Sequence, residues 1–125
     1  MALEEYVGAI VLYVDGLEIE VTDIRPQTNT GRKLVKTMNR TGRAKGYAKG
    51  IAEHSLQITV VMPKNVAQPD WDEMVGSKLT TMDMDGNPLY SYLDCFTTQT
   101  GEQYSVDNEA RRDLTIQSLR KVQGL

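Results

Sequence analysis

A two-residue turn at Asp15-Gly16 is the sequence feature that most narrows the fold. The runs on both sides of it, within residues 6–24, are rich in β-forming side chains. An Asp-Gly pair between two such runs predicts a β-hairpin, because both turn residues tolerate a positive φ. The register that follows gives the hairpin one apolar face, which we expect to be buried. Its facing pairs are Val14 with Leu17, Leu12 with Ile19, and Ile10 with Val21.

The opposite face of this hairpin is half polar. It carries Glu18 and Glu20, whose predicted neighbours across the hairpin are Tyr13 and Val11. A mixed face of this kind borders water or a hydrated space.

Strand patterns account for most of the remaining chain. Over residues 53–62, polar and apolar side chains alternate, which is typical of a strand with one buried face. Further strands are predicted over residues 79–84, 89–98, 103–106 and 114–119, with turns at 85–88 and 100–101. The chain is therefore mainly strand.

One short helix is predicted over residues 69–78. Pro69 occupies a first-turn position, and three carboxylates follow it near the positive end of the helix dipole. Trp71, Met74 and Val75 then share one face at helical spacing. The expected fold class is mainly β, a small β-sandwich or barrel with one short flanking α-helix and a long extended arm between the second and third strands.

A basic segment forms that arm. Residues 25–52 contain eight of the fourteen Lys and Arg and none of the seventeen Asp and Glu, so the segment carries +8 and the rest of the chain −11. Four of the ten glycines also fall there and disfavour a helix. Because Pro26 cannot donate a ladder hydrogen bond, we expect the second strand to end near it and the arm to span residues 25–50.

The second half of the arm has an alternating pattern. Over residues 43–50, Arg, Lys or Tyr alternates with Ala or Gly. An extended strand would therefore have one basic face and one nearly bare face, which lets another backbone come close. The basic face would reach carboxylates or phosphates. The candidate interface residues of the arm are Arg32, Lys33, Lys36, Arg40, Arg43, Lys45, Tyr47 and Lys49.

Length and composition are those of an ordinary globular protein. With 125 residues, 40% of them hydrophobic, the chain has room for one domain with a real core, which we expect to span residues 1–125. No apolar run approaches the roughly 20 residues of a membrane helix, so we expect no membrane insertion by this chain. Glu4 and Glu5 replace the basic start of a secretory signal, and synthesis in the cytoplasm is expected.

Residues with catalytic or metal-binding chemistry are few. His54 is the single histidine and is in phase with Leu56 on an apolar strand face, which indicates a structural role. Cys95 is the single cysteine, and we expect it to be a small buried hydrophobe. Asp83 and Asp85 lack the further carboxylate that closes a calcium loop. We therefore predict no enzyme, no metal and no cofactor.

Two partners fit a basic arm on an acidic body, a nucleic acid or another copy of the chain. The arm offers one aromatic residue, Tyr47, whereas single-strand binding usually involves several, and the acidic remainder would repel a polyanion. Self-association meets no such conflict, because each copy offers the charge that the next one lacks. Such heterologous contacts close into rings or stack into filaments.

The order of these parts resembles the tail tube proteins of tailed bacteriophages, to which the tube proteins of contractile injection systems and type VI secretion are similar. The resemblance rests on the opening hairpin, the Gly-rich basic arm, the short helix and the closing segment YSVDNEARRDLTI at residues 104–116. It covers nearly the whole chain and carries no diagnostic motif.

The resemblance implies that copies assemble into stacked hexameric rings, which form a hollow conduit for DNA passage. It also implies a place in the virion tail, after synthesis and assembly in the bacterial host cytoplasm, with sheath, tape-measure and baseplate or terminator proteins as partners. In such a tube Glu18 and Glu20 are candidates for the inner wall, where negative charge keeps DNA from adhering. An ordinary solvated sheet face is the alternative for those two residues. The arm would reach neighbouring subunits, with a mobile basic loop as the alternative.

Two other functions stay open. A tail terminator or other capping ring of the same machine would have a similar fold and differ in whether stacking continues. A small nucleic-acid-binding β-barrel would instead use the arm to hold phosphates.

Overall fold

The computed structural model describes residues 3–64 and 68–124, and β-strands dominate it. One 3-10 turn, Trp71–Glu73, lies between the sixth and seventh strands. The strands are β1 (Val11–Val14), β2 (Leu17–Ile19), β3 (Val21–Asn29), β4 (Lys33–Val35), β5 (Gly46–Ala48), β6 (Glu53–Val61), β7 (Val75–Met82), β8 (Pro88–Gln103), β9 (Arg111–Ser118) and β10 (Arg120–Gln123). None of the described residues forms a helix long and apolar enough to span a membrane.

Eight strands form one sheet that curls on itself. Their order is β2-β1-β7-β8-β9-β6-β3, and β10 pairs with β8 beside this path. β2 and β3 lie at opposite ends of the order, yet Glu20 alone separates them in the chain. The Val61 amide donates to the Glu20 carbonyl at 3.3 Å, which ties this junction to β6. The sheet is therefore a half-barrel, and the predicted mainly-β fold class is confirmed.

The core fills the inside of the curled sheet. Alternate residues of β1, β6 and β9 point into it, as the period of two in a strand requires. Burial of these apolar side chains is the main force that holds the sheet curled. The buried apolar residues are Leu12, Val14, Ile19, Leu56, Ile58, Val60, Trp71, Met74, Leu79, Tyr92, Cys95, Leu114 and Ile116.

The predicted register of the opening hairpin is confirmed next to the turn. Leu12 pairs with Ile19 and Val14 pairs with Leu17, while Asp15 and Gly16 have positive φ values of 51° and 85°. The third predicted pair, Ile10 with Val21, is wrong. Val21 begins β3 and pairs with Val60 of β6 instead. After Glu20 the chain no longer runs beside β1, because β3 lies at the other end of the sheet order.

The predicted α-helix over residues 69–78 is wrong. One 3-10 turn forms at Trp71–Glu73, Met74 is already extended with ψ 117°, and β7 begins at Val75. So short a segment is marginal as a helix, and Gly76 has a φ of +78° that a helix cannot accommodate. Pairing with β8 satisfies its backbone instead, with Ser77 opposite Cys95. Of the three residues expected to share one face, Trp71 and Met74 are buried and Val75 is exposed.

The strand that was predicted to end near Pro26 continues past it. β3 continues to Asn29, and Pro26 lies opposite Leu56 of β6. Because β3 is an edge strand of the sheet, the missing N–H of proline is tolerated there. The arm therefore begins at residue 30 and not at Arg25.

The predicted turn at residues 100–101 is also wrong. β8 runs through it as one 16-residue strand, with Thr100 opposite Leu114 and Gly101 opposite Asp113. Ladder hydrogen bonds to β9 keep Gly101 extended, although glycine by itself favours a turn. The connection from β8 to β9 comes later, at residues 104–110.

Cys95 is buried, as predicted, and its environment makes it chemically quiet. Burial is the largest influence on its pKa and raises it, so the thiol stays protonated at neutral pH. We expect a thiol reagent to modify the folded protein at a small fraction of the rate seen after unfolding in denaturant. Reaction at the rate of the unfolded chain, followed by absorbance at pH 7.5, would show that the site opens readily.

Candidate assembly interface

The arm, which comprises residues 30–52, is a β-hairpin that projects from the end of the β3–β6 pair. Its strands β4 and β5 pair antiparallel, with Lys33 opposite Ala48, Leu34 opposite Tyr47 and Val35 opposite Gly46. Within the described part of the chain this pair is a separate two-stranded sheet. A lone two-stranded hairpin is marginally stable in water, so the arm gains most from a partner outside its own chain.

The two faces of the arm differ in the way the alternating pattern predicts. Directly opposed residues of an antiparallel pair point to the same side, so Leu34 and Tyr47 share one face. Continued alternation places Lys36, Lys45 and Lys49 beside them. The other face carries Val35, Gly46 and Ala48, and Lys33 is its single long side chain within the paired residues. One face is therefore basic and apolar, and the other is nearly bare.

The apolar side chains of the arm are exposed. Leu34 and Tyr47 are 67% and 62% exposed, and Met38 and Ile51 are exposed still further. Large apolar residues grouped on one projecting segment are typical of a surface that another protein covers.

The cations of the arm are exposed as well. Among residues 3–64 and 68–124, none of the seven Lys and Arg at positions 32–49 forms an ion pair. The ion pairs that do form lie outside the arm and join Arg25 with Asp23, Arg111 with Glu109, Arg112 with Glu102, and Arg120 with Asp94. The positive charge of the arm is thus available to another molecule.

The tip of the arm has its own local structure. The Asn39 side chain donates to the Arg43 carbonyl at 2.9 Å and accepts from the Thr41 amide at 3.0 Å. Gly42 has a φ of +67°, a value that glycine adopts without strain. Asn39 therefore fixes a turn that presents Arg40 and Arg43 to solvent.

The base of the arm is a close backbone contact between two glycines. A methyl group added to Gly50 would collide with the Gly31 carbonyl, and one added to Gly31 would collide with the Ile51 backbone. The predicted close approach on the bare face therefore occurs, and the partner backbone belongs to the arm itself. We expect this contact to fix the angle at which the hairpin leaves the sheet.

We expect Gly50→Ala to impair assembly while sparing the fold. The new methyl group forces the base of the arm apart, whereas Gly46→Ala, the matched control, meets no atom within 4 Å. Thermal unfolding should leave both variants within a few degrees of the natural protein, because the arm lies outside the core. The protein concentration needed for assembly, measured by light scattering, should rise for Gly50→Ala alone. Equal assembly of the two variants would show that the arm angle is unimportant.

The two acids proposed for an inner wall are both exposed. Glu18 lies on β2 opposite Tyr13, as predicted. Glu20 is not paired with Val11, because the β1–β2 ladder ends at Leu12 with Ile19 and Glu20 lies at the junction of β2 and β3. Whether either residue borders a conduit stays a prediction.

A second surface, which we call the polar sheet face, was not recognised in the sequence. β3, β6 and β9 lie side by side, and the side chains on their outer face are polar over four successive rows. Alternation within each strand was visible, but the register that aligns the strands was not. The face comprises Asp23, Arg25, Gln27, Asn29, Glu53, Ser55, Gln57, Thr59, Asp113, Thr115 and Gln117, continued on β8 by Gln99 and Gly101.

His54 and Asp83 make contacts that hold local structure. His54 Nδ1 lies 3.2 Å from the Thr28 hydroxyl, where the two share a hydrogen bond at the base of the arm. Within the described ranges, no three His, Cys, Asp or Glu are grouped to hold a metal ion. Asp83 accepts hydrogen bonds from the amides of Asn87 and Asp85, and the Asn87 bond is the main cause of its lowered pKa. These contacts shape the β7–β8 turn.

Comparison with solved structures identifies the fold. The whole chain aligns with 95% of a chain in the anti-feeding prophage cap, the AFP tube terminating cap, at 12% identity and a TM-score of 0.71. It aligns over 97% of its length with 96% of a chain in the PVC sheath/tube terminator of an extracellular contractile injection system, at 11% identity and a TM-score of 0.72. For the PVC sheath-tube complex the coverage is 93% and 88%, at 11% identity and a TM-score of 0.69.

Comparison by sequence finds no match. No model of a protein family matches the chain, and no curated protein matches it either. At identities of 11–12%, TM-scores of 0.69 to 0.72 establish a shared fold and nothing beyond it. The resemblance inferred from the sequence is therefore confirmed at the level of fold: this chain has the tail-tube fold of the tube and terminator proteins of contractile injection systems and phage tails.

Proposed function

We propose that this chain is a structural subunit of a phage-type tail tube, which assembles with its own copies into stacked hexameric rings around a conduit for DNA. The observation that carries the proposal is the arm. It combines exposed apolar side chains with seven cations that form no ion pair among the described residues. A hairpin of this composition is suited to burial against an acidic neighbour.

The proposal assigns the chain no catalytic activity and one tube-like domain over residues 1–125. Its interface residues are the eight arm positions from Arg32 to Lys49 named above. Its location is the tail of a virion or related particle, assembled in the bacterial cytoplasm, with sheath, tape-measure and baseplate or terminator proteins as partners. Structures of sheath-tube and baseplate assemblies among the similar folds support this setting.

Two surfaces compete for the wall of the conduit. Glu18 and Glu20 would supply negative charge, as the resemblance to tail tube proteins implies. The polar sheet face has the larger continuous hydrated surface. We favour it because its charged residues, Asp23, Glu53 and Asp113 against the cation Arg25, are net negative and its other side chains are polar, so it offers DNA little to bind and another protein core no apolar surface. Glu20 lies beside the end of this face, next to Val61. Cysteine labelling in assembled tubes tests this, since a wall residue reacts with small reagents and is protected from large ones.

A terminator or capping ring is the second candidate function. It is favoured by the two cap and terminator assemblies among the similar structures. Sedimentation velocity at protein concentrations from the assembly threshold to roughly a hundred times above it separates the two functions. A tube subunit gives a broad, growing distribution of sizes, and a terminator gives one sharp boundary at the mass of a single ring.

The third candidate, a small nucleic-acid-binding barrel, is tested by salt. A monomer that binds DNA tightly through the arm loses affinity steeply as salt rises, by about one power of the salt concentration for each phosphate contact. Titration of labelled DNA from about 50 to 300 mM salt measures this slope. Tight, salt-dependent DNA binding by a persistent monomer would replace the tube proposal.

A further inference from the structure

The arm and the loop between β8 and β9 lie at opposite ends of the sheet. The arm joins β6 at Glu53, and the other end of β6, Val61, pairs with Arg111 at the start of β9. The loop of residues 104–110 directly precedes Arg111. Nine residues of extended strand separate the two ends by about 27 Å. One molecule thus has two distinct poles along its strand direction.

The pole opposite the arm, which we call the acidic end, is rich in carboxylates. The segment that follows residue 67 belongs to it. The side-chain Nε2 of Gln68 donates to the Val61 carbonyl at 3.1 Å, and Asp72 accepts from the Thr100 hydroxyl at 2.7 Å. The acidic end contains seven carboxylates and three cations, namely Glu20, Asp70, Asp72, Glu73, Glu102, Asp107 and Glu109 with Lys64, Arg111 and Arg112.

The β8–β9 loop at this end presents both apolar and acidic groups. Tyr104 and Val106 are exposed, and Val106 is fully so. Glu109 lies 2.8 Å from Arg111. The pKa of Glu109 is lowered, first by a hydrogen bond from its own backbone amide and then by the hydrogen bond from Arg111. Asp107 forms no ion pair within the described ranges. The loop therefore carries a carboxylate whose charge is not neutralised locally, next to an exposed aliphatic side chain.

Local contacts give this loop a defined shape. The Tyr104 hydroxyl donates to Glu102 at 2.8 Å, and Arg112 lies 3.4 Å from the other oxygen of Glu102. The Met62 amide donates to the Ala110 carbonyl at 3.0 Å. A loop shaped in this way is better prepared to bind than a disordered one, because less conformational entropy is lost on docking.

We propose that the arm of one copy docks on the acidic end of the next copy, with the β8–β9 loop as the centre of the contact. This inference rests on the proposed self-assembling function and names the surface that receives the arm. The arm supplies cations with Leu34 and Tyr47, and the loop supplies Asp107 with Val106. Because the two surfaces differ and lie at opposite poles, the contact is heterologous and repeats head to tail along the strand direction.

Zero-length cross-linking tests the contact directly. Assemblies grown from an equal mixture of ¹⁴N- and ¹⁵N-labelled protein are treated with a carbodiimide, which joins lysine to carboxylate. Mixed-isotope peptides identify links between copies. We expect arm lysines, such as Lys36, Lys45 or Lys49, linked to Asp107 or Glu109. If arm lysines link between copies only to other acids, the proposed docking surface is wrong, while the proposed tube function is unaffected. Absence of any assembly overturns both.

A charge reversal then tests the energetics. Asp107→Lys should raise the concentration needed for assembly about tenfold, equivalent to about 1.4 kcal/mol. Asp85→Lys, an equal change in an exposed turn at the start of β8, is the matched control and should leave that concentration within about twofold. A double variant that also replaces the cross-linked arm lysine with glutamate restores a pair of opposite charges. It should assemble at nearly the concentration that the natural protein needs. Equal effects of the two aspartate variants, or no recovery in the combined variant, would contradict the docking surface.

Discussion

Replacing the seven cations of the arm with glutamine is expected to abolish assembly and leave the subunit folded. These side chains form no ion pair within the described residues, so their removal takes nothing from the core. If each contributes about 0.5 kcal/mol to a contact with an acidic neighbour, their joint loss is roughly 3.5 kcal/mol, more than two orders of magnitude in the association constant. Light scattering at near-physiological salt measures assembly, and circular dichroism confirms the strand content.

A charge-conserving variant is the control for this experiment. Lysine at positions 32, 40 and 43 in place of arginine keeps the total charge of the arm and should assemble at a similar concentration. Raised salt should weaken assembly of the natural protein and of this control alike, because both depend on charge. Unimpaired multimers of the seven-glutamine variant at low and high salt would show that the arm charges have no part in assembly.

The Trp71→Ala change is expected to produce the largest loss of subunit stability. Trp71 is 1% exposed and closes one side of the half-barrel beside β8. Truncating a buried tryptophan costs about 3–5 kcal/mol, since apolar contacts are lost and a cavity remains. For a domain of this size, such a loss lowers the melting temperature by roughly 10 °C or more.

The matched variant for this position is Trp71→Phe. Trp71 Nε1 is buried and has no hydrogen-bond partner within the described residues, so phenylalanine removes an unsatisfied donor while keeping most of the apolar surface. We therefore expect a much smaller loss than for alanine, measured by urea unfolding. Losses of equal size in the two variants would mean that the indole shape, and not its apolar area, holds this part of the sheet.

Local structure could be predicted from the sequence wherever neighbours in the chain are also neighbours in space. The Asp15-Gly16 turn determined three hairpin pairs, because a tight turn decides register within a few residues. The inward set of β6, including Leu56 and Ile58, followed from its period of two. The same logic failed at Ile10 with Val21, where a long-range pairing with β6 outweighs the local hairpin.

The wrong helix shows how tertiary pairing outweighs a local pattern. Trp71, Met74 and Val75 have helical spacing, yet Val75 is exposed and begins a strand. Trp71 and Met74 are nevertheless both buried, because the 3-10 turn between them brings both side chains to the inner side. A segment this short has little intrinsic helical stability to set against eight residues of sheet pairing.

Of the two surfaces in the proposed contact, only the arm could be predicted from the sequence. Charge segregation is a property of the sequence, so the arm and its basic residues follow from the order of amino acids alone. The acidic end does not, because it brings together the β2–β3 junction, the 3-10 turn and the β8–β9 loop, which are far apart in the chain. The polar sheet face was hidden for the same reason, since Gln57 and Thr115 become neighbours through the pairing of β6 with β9.

Electron microscopy of the purified, untagged protein at near-physiological salt is the most direct test of the central claim that this subunit builds a tube. We predict hollow rings of six copies that stack into tubes, with each arm ordered against a neighbouring subunit. A uniform monomer that persists at concentrations above about 100 μM, where weak specific interfaces are already populated, would contradict it.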